Sequence, residues 1–564
     1  MEERLTESYI KVTAEENECL QFLTIVDSLK LYANINGESE AVVFVSTDGT
    51  RQSVTWSELY EKSRKAAQAF VHLGLKEHEV AALNIRNCPE WLYASFGAMM
   101  AGAIPISISF TYTDASDLIA LMEKLQTCSL LVMDPGLDNI NWNILRQVIE
   151  ECNASGRVTS QKMPFLRYLV GVSFDQVGAK LLKFSDLLNE NHSDVDLPKV
   201  GPKDISLLFQ TSGSTGIPKV VAHTHEPYVK GVTGKHIVDV MDAKYKLFND
   251  RPFAWSGGFP FSVLTGQTRV TVSGFCEHPE DRVRFMIETI ERERCTSVFA
   301  LPPLMHELIK RQNELPPDWP VIIILCSGQP LTKKLASCIG KSCKFLLCAY
   351  GSIEFIVLAK AVISHPEEFT EYSCGKPMQY PGLEIRIVDE DGKIVPINTR
   401  GEIYCRSPVM FKEYFNDPVK TKAAKSDDGW FRTDDVGRMT ESGELFVEGR
   451  KSNTIISGGF NVAPEVLEKV MKNFTGVESI AIVPVPDDIY YQVLCACVVK
   501  KTDRDVTEEE LRTCCVNFHA DKPGLFTVLP KFYLFLESFP ETSTGKLDRR
   551  ELEKIATQRF KSIS

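Results

Sequence analysis

The sequence lacks the patterns of several common protein classes. Its 16 cysteines contain no C-x-x-C pair, and the nearest neighbours are Cys495 with Cys497 and Cys514 with Cys515, which are not zinc-ligand spacings. Acidic residues outnumber basic ones by 75 to 63, so there is no overall positive field to hold a nucleic acid. The N-terminus has no apolar stretch typical of a secretory signal. We therefore predict free thiols, no nucleic-acid partner and a cytoplasmic location, with mitochondrial and peroxisomal locations left open.

One uncharged run, Trp91 to Thr113, is long enough to span a bilayer. It contains Gly97, Gly102 and Pro105, and the proline is followed by an alternating Ile-Ser-Ile-Ser pattern. Because proline ends helices and alternation is typical of strands, the run predicts a buried helix that passes into a strand. We expect no integral membrane association.

The composition is that of a large globular chain. Hydrophobic residues make up 44% and charged residues 24% of the 564 positions, which excludes disordered and fibrous classes. At about 150 residues per folding unit, the length predicts roughly three or four units. The chain can therefore bury several substantial cores.

Helix and strand patterns alternate along most of the chain, which predicts an α/β fold with short, parallel, buried strands. A polar connector at 190–203 divides the large region into two layered α/β subdomains. From about 380 to 450, short alternating strands bounded by turn residues predict a barrel-like β segment. We predict a large domain over 1–450 and a small, mobile α+β domain over 451–564.

The strongest local pattern is LLFQTSGSTGIPKVVAHTH, from Leu207 to His225. An apolar strand leads into a run of small and hydroxylic residues, followed by Lys219. Such a loop offers N–H and O–H donors and one cation to phosphate oxygens. The order G-x-x-x-x-G-K-[ST] is absent, which disfavours an ordinary P-loop nucleotide triphosphatase. Taken alone, the loop could also be a surface turn.

This loop resembles the T-S-G-[ST]-T-G-x-P-K-G motif of the adenylate-forming superfamily, which includes acyl-CoA synthetases, aryl-CoA ligases and beetle luciferases. The resemblance runs from about Trp56 to the end, and it is closest to members that resemble medium-chain acyl-CoA synthetases. It implies that the loop holds the ATP phosphates and that Thr211 also contacts magnesium. The phosphate-binding residues implied are Thr211, Ser212, Gly213, Ser214, Thr215, Gly216 and Lys219.

Further motifs follow in the family's order. YGSIE is similar to Y-G-x-T-E, which implies that Tyr350 stacks on adenine and that Glu354 binds magnesium; PETSTGKLDRREL implies that Lys546 is the catalytic lysine. A lysine and a metal-binding carboxylate suit a reaction between two anions, the substrate carboxylate and the α-phosphate of ATP. The other cofactor-binding residues implied by the resemblance, for ATP or for coenzyme A, are Ser327, Gly328, Gln329, Gly351, Asp435, Arg450, Gly458 and Gly459.

The predicted acid pocket combines His225 of the first motif with an aromatic, glycine-rich segment, 249–263. Its candidate residues there are Trp255, Phe259 and Phe261, although such aromatic residues are as often simple core. Four positions depart from the family pattern: Val220 and Asp434 replace glycine, Ile353 replaces threonine and Asn453 replaces aspartate.

The resemblance implies an ATP-dependent acid-CoA ligase. It would activate a medium-chain or aryl carboxylic acid as an acyl-adenylate with release of pyrophosphate, and then transfer the acyl group to coenzyme A. ATP, Mg²⁺ and coenzyme A are the expected cofactors and co-substrates. The alternatives are a degenerate homologue that binds nucleotide or acyl groups without turnover, an adenylation enzyme that serves a carrier protein in trans, and a luciferase-like oxygenase.

Overall fold

The computed structural model describes residues 5–13, 22–108, 115–136, 139–173, 181–211, 219–233, 245–274, 280–451, 454–462, 464–501, 504–520, 528–540 and 547–560. The helices in these ranges are Ile25–Asn36, Trp56–Leu73, Pro89–Met100, Ala115–Leu125, Ile140–Leu145, Phe184–Asn189, His225–Thr233, Ser262–Thr265, Arg282–Glu293, Pro302–Lys310, Pro418–Ala424, Pro464–Lys472, Glu508–Ala520 and Arg549–Phe560.

The strands are numbered here in chain order. They are β1 Tyr9–Lys11, β2 Glu40–Val45, β3 Arg51–Thr55, β4 Val80–Asn84, β5 Ile104–Ser107, β6 Cys128–Met133, β7 Glu151–Cys152, β8 Val158–Thr159, β9 Tyr168–Gly171, β10 Leu182–Lys183, β11 Ile205–Thr211, β12 Lys219–Thr224, β13 Lys246–Phe248, β14 Thr268–Val272, β15 Ser297–Ala300, β16 Ile323–Cys326, β17 Phe345–Tyr350, β18 Ala359–Ile363, β19 Lys376–Pro377, β20 Glu384–Val388, β21 Gly401–Arg406, β22 Glu413–Tyr414, β23 Phe431–Met439, β24 Leu445–Arg450, β25 Ile455–Ser457, β26 Phe460–Val462, β27 Val477–Asp487, β28 Tyr491–Lys500 and β29 Phe532–Leu536.

Two large sheets form the main body, and they confirm the predicted α/β class. The eight-stranded sheet has the order β10-β9-β6-β4-β5-β11-β12-β22, and the nine-stranded sheet has the order β19-β18-β17-β16-β15-β13-β14-β2-β3. The central strands of both sheets run parallel, as predicted for short buried strands. The connector after residue 189 carries no helix or strand before β11, which lies in the same sheet as β9.

Two helices pack between the large sheets. Trp56–Leu73 begins at Thr55, whose side chain accepts a hydrogen bond from the Glu58 amide, and it ends at Gly74, which has a φ of 100°. The neighbouring helix, Pro89–Met100, is buried on nearly every face and leads into β5, as the uncharged run predicts. The apolar stretch is therefore core that is covered by sheets on both sides. No helix within the described ranges is long and apolar enough to cross a membrane.

The β-rich segment forms a separate five-stranded antiparallel sheet. Its order is β1-β20-β21-β23-β24, so the N-terminal strand β1 lies at one edge and β24 lies at the other. In the described residues this sheet is open, which corrects the barrel-like expectation. The apolar cluster beside this sheet also contains residues of β12, β17 and β22, so the sheet packs against the main body.

The C-terminal small domain has a sheet of its own, β26-β25-β28-β27, with β29 paired to β28. Its two apolar clusters are built from Ile455 and residues after it, which supports the proposal of a boundary near residue 450. The segment KKLASCIG before β17 has apolar residues at a spacing that predicts a helix, but it forms a short 3-10 helix, Lys333–Cys338, which is followed by Gly340 at a φ of 92°.

Candidate active site

Several of the predicted nucleotide-binding residues lie at the carboxyl ends of parallel strands. Ser327, Gly328 and Gln329 follow β16, while Tyr350 ends β17 and Glu354 follows it. In open α/β sheets this edge is where ligands bind. The eight-stranded sheet and the five-stranded antiparallel sheet also bring residues to this edge.

Tyr350, Asp435 and Arg450 form one buried group. The Tyr350 hydroxyl donates to Asp435 Oδ2 at 2.6 Å, and Arg450 Nε lies 2.9 Å from Asp435 Oδ1. The contact is set by sheet register, because Asp435 of β23 stands opposite Arg450 of β24. Burial raises the pKa of Asp435, and the charge of Arg450 opposes that rise. Burial and then the charge of Asp435 raise the pKa of Tyr350. A carboxylate held in this way keeps lone pairs that can accept two hydroxyl hydrogens from a diol.

Glu354 is held on both carboxylate oxygens. The Tyr414 hydroxyl donates to its Oε1 at 3.0 Å, and the Ser352 hydroxyl donates to its Oε2 at 3.0 Å. The Phe411 amide also donates to the Glu354 carbonyl at 2.7 Å. Burial, followed by the charge of Glu354, raises the pKa of Tyr414, which therefore stays a hydrogen-bond donor at neutral pH. The carboxylate is oriented before any ligand binds.

The same tyrosine connects Glu354 to the phosphate-loop strands. Tyr414 lies in β22 beside β12, and the Lys219 ammonium lies 5.0 Å from the centre of its ring. Lys219 pairs in register with Thr211 across the β11–β12 hairpin. The fold thus brings the metal-ligand candidates, Thr211 and Glu354, to one region. Oxygen donors of this kind fit Mg²⁺, which usually takes one or two protein carboxylates and completes its shell with water and substrate phosphates. No cluster of three or more His, Cys, Asp or Glu side chains suited to a metal occurs among the described residues.

Some predicted residues lie outside the described ranges. They are Ser212, Gly213, Ser214, Thr215 and Gly216 of the phosphate loop, the departure Asn453, and Lys546.

A hairpin of the C-terminal domain covers the segment after β16. Gly458 and Gly459 form its turn between β25 and β26, with φ values of 61° and 85°. A Cβ placed on Gly328 would lie 3.5 Å from the Cα of Gly459, so the two backbones pack closely. The Trp255 ring meets the Phe460 ring edge-on at 5.7 Å. The hairpin and the predicted acid pocket are therefore neighbours.

A second contact between the domains involves the turn before β28. Gln329 Nε2 donates to the Ile489 carbonyl at 3.3 Å, and Lys334 pairs with Asp488. The Tyr491 hydroxyl donates to the Glu448 carbonyl at 2.8 Å, although Tyr491 itself has a φ of 68°, which is unfavourable for a bulky residue. These contacts hold the C-terminal domain against the nine-stranded sheet and β24.

The predicted acid-pocket residues are placed in different surroundings. Phe259 is a buried core residue, and its ring packs edge-on with Tyr228 at 5.8 Å. Phe261 packs against the same apolar cluster, whereas Trp255 faces the hairpin. His225 is 1% exposed, and its Nδ1 accepts a hydrogen bond from the Ile25 amide at 3.2 Å. Trp255 is thus the member of this set that contacts the C-terminal hairpin.

Three of the four departures from the family pattern have a structural setting. Val220 is fully buried in β12. Asp434 is exposed at a φ of 59°, a conformation that aspartate tolerates better than most non-glycine residues. Ile353 packs against two apolar clusters, and its carbonyl accepts a hydrogen bond from His223 Nε2 at 2.7 Å. The exposure of Asp434 lets its charge be solvated near the nucleotide-binding candidates.

Sequence reasoning missed three residues that position this site. Tyr414 and Ser352 orient Glu354, and His223 fixes the backbone beside it. Tyr414 and His223 are far from Glu354 in sequence and belong to no predicted motif role. Ser352 lies within YGSIE, where its spacing to Glu354 could have indicated a hydrogen bond.

Acid should destabilise the fold through two buried histidines. Burial lowers the pKa of His223 and of His225 from the ordinary 6.5 to about 4. The unfolded chain therefore binds these protons first, so the free energy of unfolding falls as the pH drops from about 6.5 towards 4. At pH 5 we expect each histidine to contribute about 2 kcal/mol of this loss.

Urea unfolding at pH 7 and pH 5 measures this effect. The glutamine of His223→Gln stays neutral and keeps a hydrogen-bond donor. In this variant, the fall in the free energy of unfolding between pH 7 and pH 5 should be about half of the fall that the two histidines cause together. Replacement of the exposed His365 by glutamine is the control. An unchanged pH dependence in His223→Gln would contradict the assignment.

Comparisons with known proteins cover both domains. The profile of the AMP-binding enzyme family matches residues 31–415, and that of the AMP-binding enzyme C-terminal domain matches residues 466–546. A zebrafish (Danio rerio) protein named medium-chain acyl-CoA ligase ACSF2, mitochondrial, is 26% identical over 584 residues, covering 98% of this chain and 91% of its own. Potato (Solanum tuberosum) 4-coumarate–CoA ligase 1 is 27% identical over 525 residues, covering 90% and 89%.

Two solved structures share the fold. The amide bond synthetase McbA from Marinactinospora thermotolerans has a TM-score of 0.74 at 22% identity, covering 94% of this chain and 99% of its own. The o-succinylbenzoate CoA synthetase MenE from Bacillus subtilis, a double mutant bound to a product analogue, has a TM-score of 0.71 at 22% identity, covering 93% and 97%. At these identities the structural likeness is evidence for the fold alone.

Proposed function

Because this chain belongs to the AMP-binding enzyme family, whose profiles match both its domains, we propose that it is an ATP-dependent acid-CoA ligase. It would join a medium-chain or aryl carboxylic acid to AMP with release of pyrophosphate, and then transfer the acyl group to coenzyme A. Relatives named as acyl-CoA and coumarate–CoA ligases support the ligase class. The zebrafish relative is named as mitochondrial, whereas the cytoplasmic location of this chain stays a prediction.

The observation that carries the proposal is the meeting of three sheets at one edge. Tyr350 and Asp435 form a buried group suited to a ribose diol, and Glu354 with Lys219 forms a group suited to charged phosphates. ATP has a diol at one end and phosphates at the other, so it fits an edge with these two groups. If the glycine- and serine-rich loop were only a surface turn, it would not require the Glu354 carboxylate to be held by hydrogen bonds on both oxygens.

In the first step, a carboxylate oxygen of the acid attacks the α-phosphorus of ATP and pyrophosphate leaves. Both reactants are anions, so positive charge has to stand beside the forming bond. We assign this role to Lys546 at the acyl phosphate and assign Lys219 to the departing phosphates. Mg²⁺, held by Glu354 and Thr211, supplies further charge neutralisation when bound. Tyr414 and Ser352 keep Glu354 oriented, which lowers the reorganisation needed for catalysis.

In the second step, a thiol attacks the acyl carbonyl and AMP leaves. The hairpin turn at Gly458 and Gly459, which packs against Leu301 and Pro303 and approaches Gly328, is assigned to the pantetheine of coenzyme A by the family resemblance. We infer that the contacts of Gln329, Lys334 and Tyr491 belong to this second orientation of the C-terminal domain. The first step would then take place in another orientation of the C-terminal domain, in which these contacts are open.

The proposal is tested by acid-dependent exchange of labelled pyrophosphate into ATP. Short, medium, long and aryl acids are compared, and coenzyme A is then added with the best acid. Exchange that depends on one class of acid, followed by thioester formation, is the expected result. Absence of exchange with every acid, in protein that still binds ATP, would favour the degenerate homologue. Exchange without thioester formation would favour an adenylation enzyme with another acceptor.

A substitution at Ile353 tests whether this departure from the family pattern slows adenylation. A threonine hydroxyl at this position could donate to the α-phosphate, a bond to a charged group worth about 1.5 to 3 kcal/mol. We therefore expect Ile353→Thr to raise the exchange rate by about ten- to a hundredfold.

Ile353→Val is the matched control, because valine has the shape of threonine without the hydroxyl. It also reports the loss of packing, since Ile353 contacts two apolar clusters. Equal exchange rates in the two variants would contradict the assigned role of this position.

A further inference from the structure

Arg251 is a buried cation with unusually weak partners. It lies in the loop after β13, and its side chain is 3% exposed. Its Nε has no hydrogen-bond acceptor among the described residues, and the nearest charged atom is Asp250 Oδ1 at 3.7 Å, beyond hydrogen-bond distance. A buried charge without hydrogen bonds costs several kcal/mol, so such groups are normally paired.

Asp250 does not neutralise Arg251 fully, because it serves another arginine first. Asp250 Oδ2 accepts from Arg282 Nη2 at 2.6 Å and from Arg282 Nε at 3.2 Å. One carboxylate therefore faces two guanidinium groups, and its hydrogen bonds within the described residues go to Arg282. The other oxygen, Oδ1, accepts no hydrogen bond in the part of the chain that the structure describes.

Arg269 provides a comparison within the same region. It is fully buried like Arg251, but it donates to the carbonyls of Asn249, Arg251 and Gly258 and stacks on the Phe253 ring at 4.7 Å. Its donors are thus used to hold the loop together. The Nε of Arg251 makes no comparable hydrogen bond to the described residues. Burial lowers the pKa of Arg251 only to about 10, so it remains charged at neutral pH.

The position of Arg251 places it beside the candidate active site. In the nine-stranded sheet, β15 lies between β13 and β16, and all three run parallel. The loop that follows β13 therefore lies on the ligand-binding edge. Burial raises the pKa of the Cys326 thiol, and Arg251 is close enough to oppose that rise across the end of β15. Cys326 directly precedes the predicted nucleotide-binding residues. One of these, Gln329, is also buried and has an unpartnered Oε1.

We propose that Arg251 binds an oxyanion of a ligand in this site, and that this ligand is an acid substrate with a second negatively charged group, such as a dicarboxylic acid. The planar guanidinium fits a carboxylate in a bidentate pair. A phosphate group of ATP or coenzyme A offers the same chemistry and is the other source to be distinguished. The choice of a diacid rests on the proposed function. It also rests on the position of Arg251, because the same segment, 249–263, carries the predicted acid-pocket residue Trp255.

A binding measurement tests the proposal without catalysis. Thermal unfolding of the wild type is followed with dicarboxylic acids from succinate to suberate and with monocarboxylic acids of equal length. A larger rise in Tm with at least one diacid than with its monoacid is expected, and Arg251→Met should remove that difference. Arg284→Met is the control, because Arg284 is an exposed arginine that pairs with Glu288. Equal shifts with mono- and diacids throughout would overturn the diacid proposal even if no variant folds.

Kinetics then identify the source of the oxyanion. In Arg251→Met we expect the KM of the diacid in pyrophosphate exchange to rise by about ten- to a hundredfold, as for loss of a charged hydrogen-bonded pair. The KM of ATP, of coenzyme A and of a monoacid should change little, and Arg251→Lys should recover part of the loss. A rise confined to ATP or coenzyme A would assign the oxyanion to phosphate and overturn the diacid. If the wild type binds diacids but shows no exchange with any acid, the proposed function fails while the oxyanion site stands.

Discussion

Replacement of Glu354 by glutamine is expected to reduce acid-dependent pyrophosphate exchange by about 100- to 1,000-fold. In other enzymes, removal of one group that stabilises the charge of the transition state has an effect of this size. Glutamine keeps the size of the side chain and can still contact Tyr414 and Ser352. It removes the negative charge with which the carboxylate would attract Mg²⁺. The exchange rate measured against magnesium concentration tests this, and the variant should need far more magnesium.

Tyr414→Phe gives a graded comparison for Glu354. It removes one hydrogen bond to the carboxylate and leaves the charge in place, so we expect a loss of about tenfold. Glu413→Gln, on the adjacent residue of β22, serves as the control for the strand itself. Wild-type exchange in Glu354→Gln would exclude this carboxylate from the metal site.

Replacement of Lys546 by alanine is expected to lower the same exchange rate by about 100- to 1,000-fold, because it removes the ammonium proposed to stand at the acyl phosphate. ATP binding measured by calorimetry should change little, since the ribose and phosphate groups are held by other residues. Lys554→Ala is the control, because Lys554 is exposed and pairs only with Glu551 among the described residues.

The two half-reactions separate a catalytic from a structural role for Lys546. If the C-terminal domain changes orientation between the steps, Lys546→Ala should still transfer a supplied acyl-adenylate to coenzyme A at close to the wild-type rate. An equal loss in both half-reactions would instead indicate a damaged domain and would contradict the assigned role.

The motifs could be located from the sequence because each depends on local chemistry. A small-residue loop, a tyrosine and glutamate at the end of a strand, and a lysine in a Thr-Gly-Lys context retain their order regardless of distant contacts. The prediction for the apolar run at residue 91 is also confirmed, since a buried helix, Pro89–Met100, passes into β5 through a turn at Gly102, which has a φ of 71°. The 3-10 helix at 333–338 was not predicted, because helical periodicity over six residues cannot distinguish an α-helix from a tighter turn.

The sequence by itself determined the α/β class, the family resemblance and the set of residues suited to bind ATP. Tertiary structure alone decided which partners those residues have: Tyr414 at Glu354, Arg450 at Asp435 and an unsatisfied guanidinium at Arg251. Tyr414 is 60 residues from Glu354 and reaches it through the packing of separate sheets, whereas Arg450 meets Asp435 through the register of the consecutive strands β23 and β24. Spacing along the sequence indicates the chemistry that a residue is suited to, whereas burial and alignment across strands determine which groups it contacts and whether its charge is paired.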